Sequence, residues 1–334
     1  MTKRIQSIVA LSGGKDSVAT LLKVRAEGWK PKVVFCDTGW EHPMLYEYLK
    51  YLEKALGIDI IFLKSNKYED FIDMVIQKKR FPSTLARFCS ELLKVHPMID
   101  YLLDEVADNF LVFQGIRKNE SQKRSKMNES CTFFRYYLEP YGFDKKDKPR
   151  YHKYRRSDVL EFVKRGLLHD VQRPVFHLTA DECFKLHAEY GIDPNPQYKA
   201  NMGRVGCFPC VMVTHDELWQ IYLRFPWRID ELIEWEKKLG TTFFPPGYVP
   251  KRYASKEVSF KYDKSKLTQE EIDYLQEYLG IEFDEHGKAQ GKMKVNTVED
   301  VIRYLKDKHA QGHIFEEYDK RTITSCDSIY NICE

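Results

Sequence analysis

A glycine-rich turn joins an apolar strand to an amphipathic helix near the start of the chain. The strand "SIVAL" leads into "SGGKDS" at residues 12–17, and Val18, Leu21 and Leu22 follow at helical spacing. Glycines permit backbone angles that other residues avoid, and the unpaired N–H groups at a helix N-terminus favour an anion. A lysine and two serines in the turn add further hydrogen-bond donors. The segment therefore predicts a strand–loop–helix unit whose loop binds phosphate.

Apolar strands and amphipathic helices continue to alternate through the first half of the chain. Further strands are predicted at residues 32–37, 59–65 and 109–117, and helices at residues 16–27, 43–57, 68–79 and 90–107. This alternation indicates a parallel sheet with helices on both faces and with ligands at the C-terminal ends of the strands. We expect an α/β domain with a doubly wound parallel sheet over residues 1–213.

The second half of the sequence has a different character. Helices are predicted over residues 215–240, 267–280 and 297–310. Trp219, Trp227 and Trp235 are expected on apolar helix faces because of their spacing. We expect residues 214–334 to form a smaller, mainly helical appendage that ends in a cysteine-containing tail.

Composition argues against some classes of protein. The 334 residues carry a net charge of +3, and no apolar run approaches the ~20 residues that span a bilayer. We therefore expect a cytoplasmic protein without a membrane partner, whose eight cysteines are metal ligands or free thiols. Basic runs at residues 77–80, 117–126 and 145–156 are compatible with DNA or RNA binding, or with solvated loops.

Four later motifs place polar groups where strands or helices end. They are "DTG" at residues 37–39, "RFCSELLKVHP" at residues 87–97, "GIRKNESQKR" at residues 115–124 and "RVGCFPC" at residues 204–210. Together with "SGGKDS" they occur in the order found in PP-loop ATPases of the phosphoadenosine phosphosulfate (PAPS) reductase-like family. The chain resembles this family from residue 7 to about residue 213. It is most similar to the small subunit of ATP sulfurylase and to the sulfur-inserting ATPase of DNA phosphorothioation.

The resemblance implies an enzyme that uses ATP. An intact "SGGKDS" suits cleavage of ATP between its α- and β-phosphates, which would adenylate an acceptor during sulfur transfer or nucleic-acid modification. Reductases of the family instead have a degraded loop and a C-terminal Glu-Cys-Gly-x-His segment, which is not found here. Two alternatives stay open: a PAPS reductase in which Cys326 or Cys333 attacks, and a non-catalytic nucleotide sensor. The partners would be the nucleotide, DNA, RNA or a small acceptor, and a sulfur donor or a partner subunit.

The resemblance also suggests roles for individual residues. Lys15 and the neighbouring amides would hold the pyrophosphate, and Asp16 would act through Mg²⁺. Arg117 and Arg124 have the planar group that suits an α-phosphate or an anionic acceptor, unless Arg117 forms a local ion pair with Glu120. The catalytic candidates are thus Lys15, Asp16, Arg117 and Arg124. The nucleotide-binding candidates are Ser12, Gly13, Gly14, Lys15, Asp16, Ser17, Asp37, Thr38, Gly39 and Gly115. The acceptor-binding candidates are Arg87, Ser90, Lys94, Glu120, Ser121 and Arg204, of which Arg87 and Lys94 could instead cap a helix.

The cysteines suggest one metal centre. Cys207 and Cys210 have the C-x-x-C spacing of a metal site, and Cys326 with Cys333 could complete four thiolates for zinc or a [4Fe–4S] cluster. The resemblance to phosphorothioation proteins favours the iron–sulfur cluster, with Cys89 as an alternative ligand. A redox-active or unligated C-x-x-C is the other interpretation.

Overall fold

The computed structural model describes residues 5–84, 86–143, 147–267 and 269–310. They divide into two units. Of these residues, the first unit contains those up to Met74 together with Phe88–Cys210, and the second contains Val75–Arg87 and those from Val211 to Ala310. The segment Val75–Arg87 thus lies within the range expected for the first domain but clusters with the second unit.

A parallel sheet forms the centre of the first unit. The strands of this unit are β1 Gln6–Ala10, β2 Lys32–Cys36, β3 Ile60–Leu63, β4 Phe110–Gln114, β5 Ser130–Thr132, β6 Gly142–Phe143, β7 Pro149–Arg150 and β8 His169–Gln172. Six of them form one sheet in the order β3-β2-β1-β4-β8-β5, while β6 and β7 form a separate hairpin. Strand β5 is antiparallel to β8, and the other neighbours in the sheet are parallel. The predicted parallel sheet is confirmed, but strand β8 and the short polar edge strand β5 are missing from the sequence prediction.

Helices connect these strands. Between residues 15 and 189 they are α1 Lys15–Ala26, α2 Pro43–Leu56, α3 Phe71–Lys78, α4 Phe88–Ser90, α5 His96–Asp100, α6 Gln122–Ser125, α7 Arg135–Leu138, α8 Arg156–Lys164 and α9 Ala180–Glu189. Two π-helical turns, Glu91–Val95 and Tyr101–Val106, continue α4 and α5 into one helical run over residues 88–106. A 3₁₀ segment, Pro196–Ala200, follows α9.

Both faces of the sheet are covered by apolar side chains. Ile8 of β1 packs in one cluster with Met98 and Phe162, which lie on helices of one face. The next residue of β1, Val9, packs in another cluster with residues of α1 and α2 such as Leu21. Successive strand residues point to opposite faces, so this division shows the doubly wound arrangement. The C-terminal strand ends remain as the edge where a ligand can bind.

The second unit is smaller and mainly helical. Its elements are α10 His215–Arg224, α11 Pro226–Leu239, β9 Lys256–Asp263, α12 Gln269–Asp273, β10 Lys288–Val295 and α13 Val298–Ala310. The helices agree with the prediction, but the antiparallel hairpin of β9 and β10 is missing from it. Trp227 is 45% exposed, so its expected position on an apolar face is wrong. That face of α11 is formed by Ile229 and Leu232. Within the described residues, no helix has the length and apolar composition needed to cross a membrane.

Candidate functional site

The loop between β1 and α1 depends on its first glycine. Gly13 has a φ of +78°, a backbone conformation that a side chain would strain, and Gly14 then serves as the N-cap of α1. The side-chain amide of Asn195 donates to the Gly13 carbonyl at 3.3 Å. The Nε2 atom of His187 lies 2.9 Å from the Lys15 carbonyl. Two side chains from the segment after β8 therefore hold the loop in place.

His187 and Asn195 are site-supporting residues that sequence reasoning missed. Neither belongs to a recognisable motif, and each acts through a backbone carbonyl more than 170 positions away. His187 is 1% exposed, and its burial lowers the pKa of the ring, so the neutral ring donates from Nε2 to the Lys15 carbonyl. No signal in a single sequence identifies such a contact, because topology alone brings the residues together.

Side-chain oxygen atoms accept from the backbone amides of the loop. The Gly14 amide donates to Ser12 Oγ at 3.3 Å, and the Lys15 amide donates to the Tyr198 hydroxyl at 2.9 Å. Ser17 Oγ accepts from the Ser12 amide at 3.1 Å. The Lys15 ammonium lies over the ring of Tyr198, 5.6 Å from its centroid. The amides that a phosphate would use at this helix N-terminus thus donate to side-chain oxygens here.

Asp16 is a fully buried carboxylate between two cations. Its Oδ1 atom accepts from Arg117 Nε at 2.7 Å, and its Oδ2 atom lies 3.5 Å from Lys15 Nζ. Burial alone would lower the pKa of Arg117, but the charge and hydrogen bond of Asp16 raise it. Arg117 is 8% exposed and is fixed in its charged form at the base of the loop. The structure therefore brings three catalytic candidates into one cluster.

The fourth catalytic candidate forms a neighbouring ion pair. Arg124 is 1% exposed and contacts Glu120 through Nη1. Burial raises the pKa of Glu120, and the nearby charge of Asp16 raises it further, whereas Arg124, Arg117 and Lys15 lower it. Ser121 Oγ caps the helix by accepting from the Arg124 amide at 3.1 Å. The Glu120 carboxylate therefore forms an ion pair with Arg124, and the negative charge of Asp16 repels it.

The loop after β2 is held by a network of carboxylates and hydroxyls. Asp37 Oδ1 accepts from the Gly39 amide at 3.0 Å and from the Tyr46 hydroxyl at 2.7 Å. Thr38 Oγ1 donates to Glu41 Oε1 at 2.7 Å. Burial raises the pKa of Glu41, and the charge of Lys94 opposes that rise. Glu41 is 4% exposed and was not a candidate, since it follows the motif rather than belonging to it.

These loops enclose a cleft at the C-terminal ends of β1, β2 and β4. Its lining includes the candidates Ser12, Ser17, Lys94, Gly115 and Arg124, and also Cys36, Glu41, Gln114 and Gly206. The cleft encloses about 580 Å³ when space open to solvent is counted. Burial raises the pKa of the Cys36 thiol to about 12, so this lining residue is an inert thiol at neutral pH.

Gly115 allows the closest backbone approach in this cleft. A Cβ atom at this position would lie 2.6 Å from the backbone nitrogen and Cα of Ser17. Backbone cannot move aside as a flexible side chain does, so the end of β4 meets the start of α1 only with glycine there. Close packing against the Ser17 backbone therefore requires glycine at position 115, whether or not the residue belongs to a motif.

The remaining acceptor candidates have different environments. Ser90 and Lys94 are buried in the helical run over residues 88–106. Arg204 is half-buried in the segment before the C-x-x-C motif. Arg87 clusters with the second unit, whereas the other acceptor candidates belong to the first.

The C-x-x-C segment packs on the loop after β2. Cys207 forms an isolated antiparallel bridge with Glu41, and its Sγ lies 3.9 Å from Thr38 Oγ1. Trp40 Nε1 donates to the Pro209 carbonyl at 3.1 Å. Among the described residues there is no group of three or more histidine, cysteine or acidic side chains that could hold a metal ion. Cys326 and Cys333, which were expected to complete the site, lie outside the described residues.

Part of the charge in the predicted basic runs is neutralised within the protein. Both arginines of the run at residues 117–126 are buried in the ion pairs given above. Arg155 contacts three aspartates. The hairpin of β6 and β7 presents aromatic rings instead, since Tyr141 is 37% and Phe143 is 60% exposed. The basic runs are therefore less available to a polyanion than their composition suggests.

Sequence comparison identifies the protein family of the residues that form this cleft. The profile of the phosphoadenosine phosphosulfate reductase domain matches residues 6–213, which contain every loop of the cleft. The chain belongs to this family. The match agrees with the resemblance drawn from the motifs, and members of the family bind nucleotides through the PP-loop. The chain is therefore a nucleotide-binding protein of enzyme type.

Relatives of this PP-loop protein include phage and archaeal chains. It is 29% identical over 300 residues to an uncharacterized 37.8 kDa protein of Escherichia phage 186, covering 74% of this chain and 81% of the phage protein. It is 30% identical over 220 residues to an uncharacterized protein of Methanocaldococcus jannaschii, covering 66% of this chain but only 39% of the archaeal one. A solved PAPS reductase from Candida auris, in a phosphate complex, aligns with 12% identity and a TM-score of 0.39 over 62% of this chain and 82% of the reductase.

Proposed function

We propose that this protein cleaves ATP between the α- and β-phosphates and transfers the adenylyl group to an acceptor, in sulfur transfer or nucleic-acid modification. The observation that supports this most is the intact loop with Lys15 and the buried pair of Asp16 and Arg117 at its base. The loop amides of Gly14 and Lys15 already donate to oxygen atoms, and phosphate oxygens would take those positions. A preorganised set of donors stabilises charge where it develops in the transition state.

The proposed step is a displacement at the α-phosphorus. An acceptor oxygen attacks that phosphorus and forms a new P–O bond, while the bond to the α–β bridging oxygen breaks. Its electron pair leaves with pyrophosphate. Lys15 and the loop amides would hold the leaving pyrophosphate, and Arg124, which lines the cleft, would contact the α-phosphate. An anionic acceptor oxygen carries no proton, so the step needs no general base.

The oxygen donors beside the loop fit Mg²⁺. This ion takes one or two carboxylates and completes its shell with water and substrate phosphates. The Asp16 and Glu120 carboxylates are near the Lys15 ammonium, and the charges of Asp16 and Lys15 both affect the pKa of Glu120. Bound there, Mg²⁺ would neutralise charge on the phosphates, and Asp16 would be its principal protein ligand.

Turnover of Lys15→Ala tests the proposal. Removing a cation aimed at the transferring phosphates should lower the rate of pyrophosphate release by roughly 100-fold or more. Lys23→Ala is a matched control, because Lys23 lies on the same helix and donates to the Pro174 carbonyl at 2.9 Å. Release of ADP and phosphate instead of AMP derivatives and pyrophosphate would contradict the proposal. Nucleotide binding without any turnover would support the sensor alternative.

A sulfonucleotide reductase is the second candidate, and the family match supports it. Such a reaction would consume PAPS with a thiol reductant and would not need ATP. The attacking thiol would be Cys326 or Cys333, both outside the described residues. Consumption of PAPS that is lost in Cys326→Ser or Cys333→Ser would favour the reductase over adenylyl transfer.

A metal centre at the C-x-x-C motif is a further part of the proposal. The described residues supply Cys207 and Cys210 but no group of three ligands. A cluster or zinc ion would need Cys326 and Cys333, or Cys89. Absorbance near ~400 nm in anaerobically purified protein would indicate iron–sulfur. A colourless protein that contains zinc would indicate a structural site, and loss of metal in Cys210→Ser would assign the ligand.

DNA or RNA is a proposed partner as well. The ring of Phe143, which is 60% exposed, offers a surface on which an unpaired base could stack. Binding to a single-stranded oligonucleotide should weaken as salt rises and should fall in Phe143→Ala. Binding that is insensitive to both would remove this partner.

A further inference from the structure

A second cavity adjoins the nucleotide cleft. It is lined by Gln114 at the end of β4, by Cys131 of β5, by Arg173 directly after β8, and by Arg135 and Tyr136 of α7. Gln114 also lines the nucleotide cleft, so the cavities meet at the end of β4. The second cavity encloses about 540 Å³ when space open to solvent is counted. We call it the β5 pocket.

Arg173 is the buried charge of the β5 pocket. Its side chain is 3% exposed. Nη1 donates to the Asn128 carbonyl, Nη2 donates to Cys131 Sγ at 3.5 Å, and Nε has no hydrogen-bond partner. Within the described parts of the chain, no carboxylate forms an ion pair with this guanidinium. Its partners are therefore one carbonyl and one thiol group.

Other buried arginines of the protein have a counter-charge. Arg117 contacts Asp16, Arg124 contacts Glu120, and Arg228 contacts Glu231. A buried guanidinium without a counter-charge is costly, because burial removes its hydration and nothing replaces it. Unlike these three arginines, Arg173 has no carboxylate partner among the described residues, and it lines a cavity. A negatively charged ligand in this cavity would pair with the Arg173 guanidinium and offset the free-energy cost of burying it.

We propose that the β5 pocket binds an oxyanion group of a small-molecule substrate, such as a sulfate, phosphate or carboxylate group. The planar guanidinium of Arg173 suits the oxygen geometry of these groups. Because Arg173 is almost fully buried, the anionic group must enter the pocket, which suits a small molecule better than the backbone of a polymer. The proposal rests on the proposed function, since it names the class of acceptor and places it beside the nucleotide. None of the acceptor candidates drawn from the sequence lines this pocket.

Titration with inorganic sulfate tests the pocket. The nucleotide cleft is first saturated with α,β-methylene ATP, so that sulfate cannot occupy the loop, and sulfate binding is then measured by calorimetry. Arg173→Gln should weaken sulfate binding by roughly 10- to 100-fold, which is the range for hydrogen bonds to charged groups. Its affinity for the ATP analogue should stay within twofold of wild type. Sulfate binding that is unchanged in Arg173→Gln would overturn the proposal.

Arg165→Gln is the matched control. Arg165 lies in the same unit and donates to a backbone carbonyl, that of Ala107 at 3.2 Å, but it does not line the pocket. Sulfate affinity should therefore be unchanged in this variant. An equal loss in both variants would mean a general effect of net charge and would overturn the proposal.

A footprint on the unmodified chain covers the case in which Arg173→Gln fails to fold. Cys131 lines the pocket and is half-buried, so bound sulfate should slow its alkylation by iodoacetamide several-fold, as followed by peptide mass spectrometry. Glutathione added to the same sample is the reference thiol, and sulfate should not change its rate of alkylation. Equal rates at Cys131 with and without sulfate would overturn the proposal. Failure of the proposed adenylyl transfer is distinguishable, because pyrophosphate release would be absent while Arg173-dependent sulfate binding persisted.

Discussion

The buried carboxylates of the two units have different kinds of partner. In the first unit, Asp16 lies between the Arg117 guanidinium and the Lys15 ammonium, at 2.7 and 3.5 Å. In the second unit, Glu236 accepts from two backbone amides, at 2.7 and 2.8 Å. Both acids are at most 5% exposed, so burial alone does not distinguish them. Their partners distinguish them: a bound phosphate can also contact the two cations beside Asp16, whereas the amides that donate to Glu236 carry no charge.

A second buried acid of the second unit also accepts hydrogen bonds from backbone amides. Asp300, at the start of α13, accepts from the amides of Ser255 and Thr297, both at 3.0 Å. These hydrogen bonds keep the pKa of Asp300 low although burial raises it. Such acids tie loops to helices, and we expect substitutions there to change stability rather than nucleotide binding. The predictions below test this division.

The largest effect is expected at Asp16. Asp16→Asn removes the charge that neutralises buried Arg117, and an uncompensated buried charge costs about 3–5 kcal/mol in the free energy of unfolding. Turnover should fall as well, since Lys15 loses its partner. Denaturant unfolding and pyrophosphate release measure the two effects separately. Asp158→Asn is the control, because its carboxylate is 48% exposed in a surface ion pair, which is worth at most about 1 kcal/mol.

The double variant Asp16→Asn/Arg117→Met sharpens this test. Removing both charges leaves no unpaired ion, so much of the lost stability should return. Turnover should stay low, because the charges that serve the nucleotide are gone. Recovery of both stability and turnover would mean that the pair of Asp16 and Arg117 has only a structural role. The buried acids of the two units would then not differ in function.

An intermediate effect is expected at Glu236, in the dependence of stability on pH. Burial raises the pKa of this carboxyl to about 7, while the amides of Val298 and Phe243 oppose the rise. The folded state thus holds the proton more tightly than the unfolded chain, whose carboxyl titrates near 4.5. Stability is therefore highest below that pH and falls as pH rises through about 7, by about 3 kcal/mol.

Glu236→Gln should reduce the loss of stability between pH 4.5 and pH 8 by about 3 kcal/mol, as measured by denaturant unfolding. The loss that remains belongs to other buried acids such as Glu41 and Glu120. ATP binding should not change in the variant. Glu234→Gln is the control on the same helix, where the carboxylate is 68% exposed, and it should keep the slope of the wild type. A loss of stability with pH that is as large in Glu236→Gln as in the wild type would contradict this prediction.

The contrast also shows which features a sequence can predict. The loop residues from Ser12 to Ser17 were identified because glycine, lysine and serine lie together in the chain where a strand ends. The parallel sheet followed from alternating apolar segments. Strand β5 could not be predicted, because three residues with one half-buried side chain between two exposed ones carry no clear periodicity.

Contacts between distant segments account for the other omissions. Glu41 and Arg173 lie outside the recognised motifs, and their importance comes from what surrounds them once the chain is folded. Arg173 in particular is one arginine among many in the sequence, and only its burial without a carboxylate partner sets it apart. The hairpin of β9 and β10 was missed although Val258, Phe260 and Tyr262 alternate with polar residues, a period-two pattern that is typical of a strand.

The smallest effect is expected at Tyr198, which approaches the loop without supplying charge. Its hydroxyl accepts from the Lys15 amide at 2.9 Å, the amide that a phosphate oxygen would use. Tyr198→Phe removes this competitor and keeps the ring below the Lys15 ammonium, so an ATP analogue should bind about 5-fold tighter, equivalent to about 1 kcal/mol. Tyr51→Phe is the matched control: it deletes a hydroxyl that accepts from the Asp193 amide at 2.9 Å and should leave affinity unchanged. Weaker binding in Tyr198→Phe, measured by calorimetry, would mean that the hydroxyl contacts the nucleotide directly. Tyr198 would then belong with Asp16 among the residues that serve the ligand, rather than with those that only shape the loop.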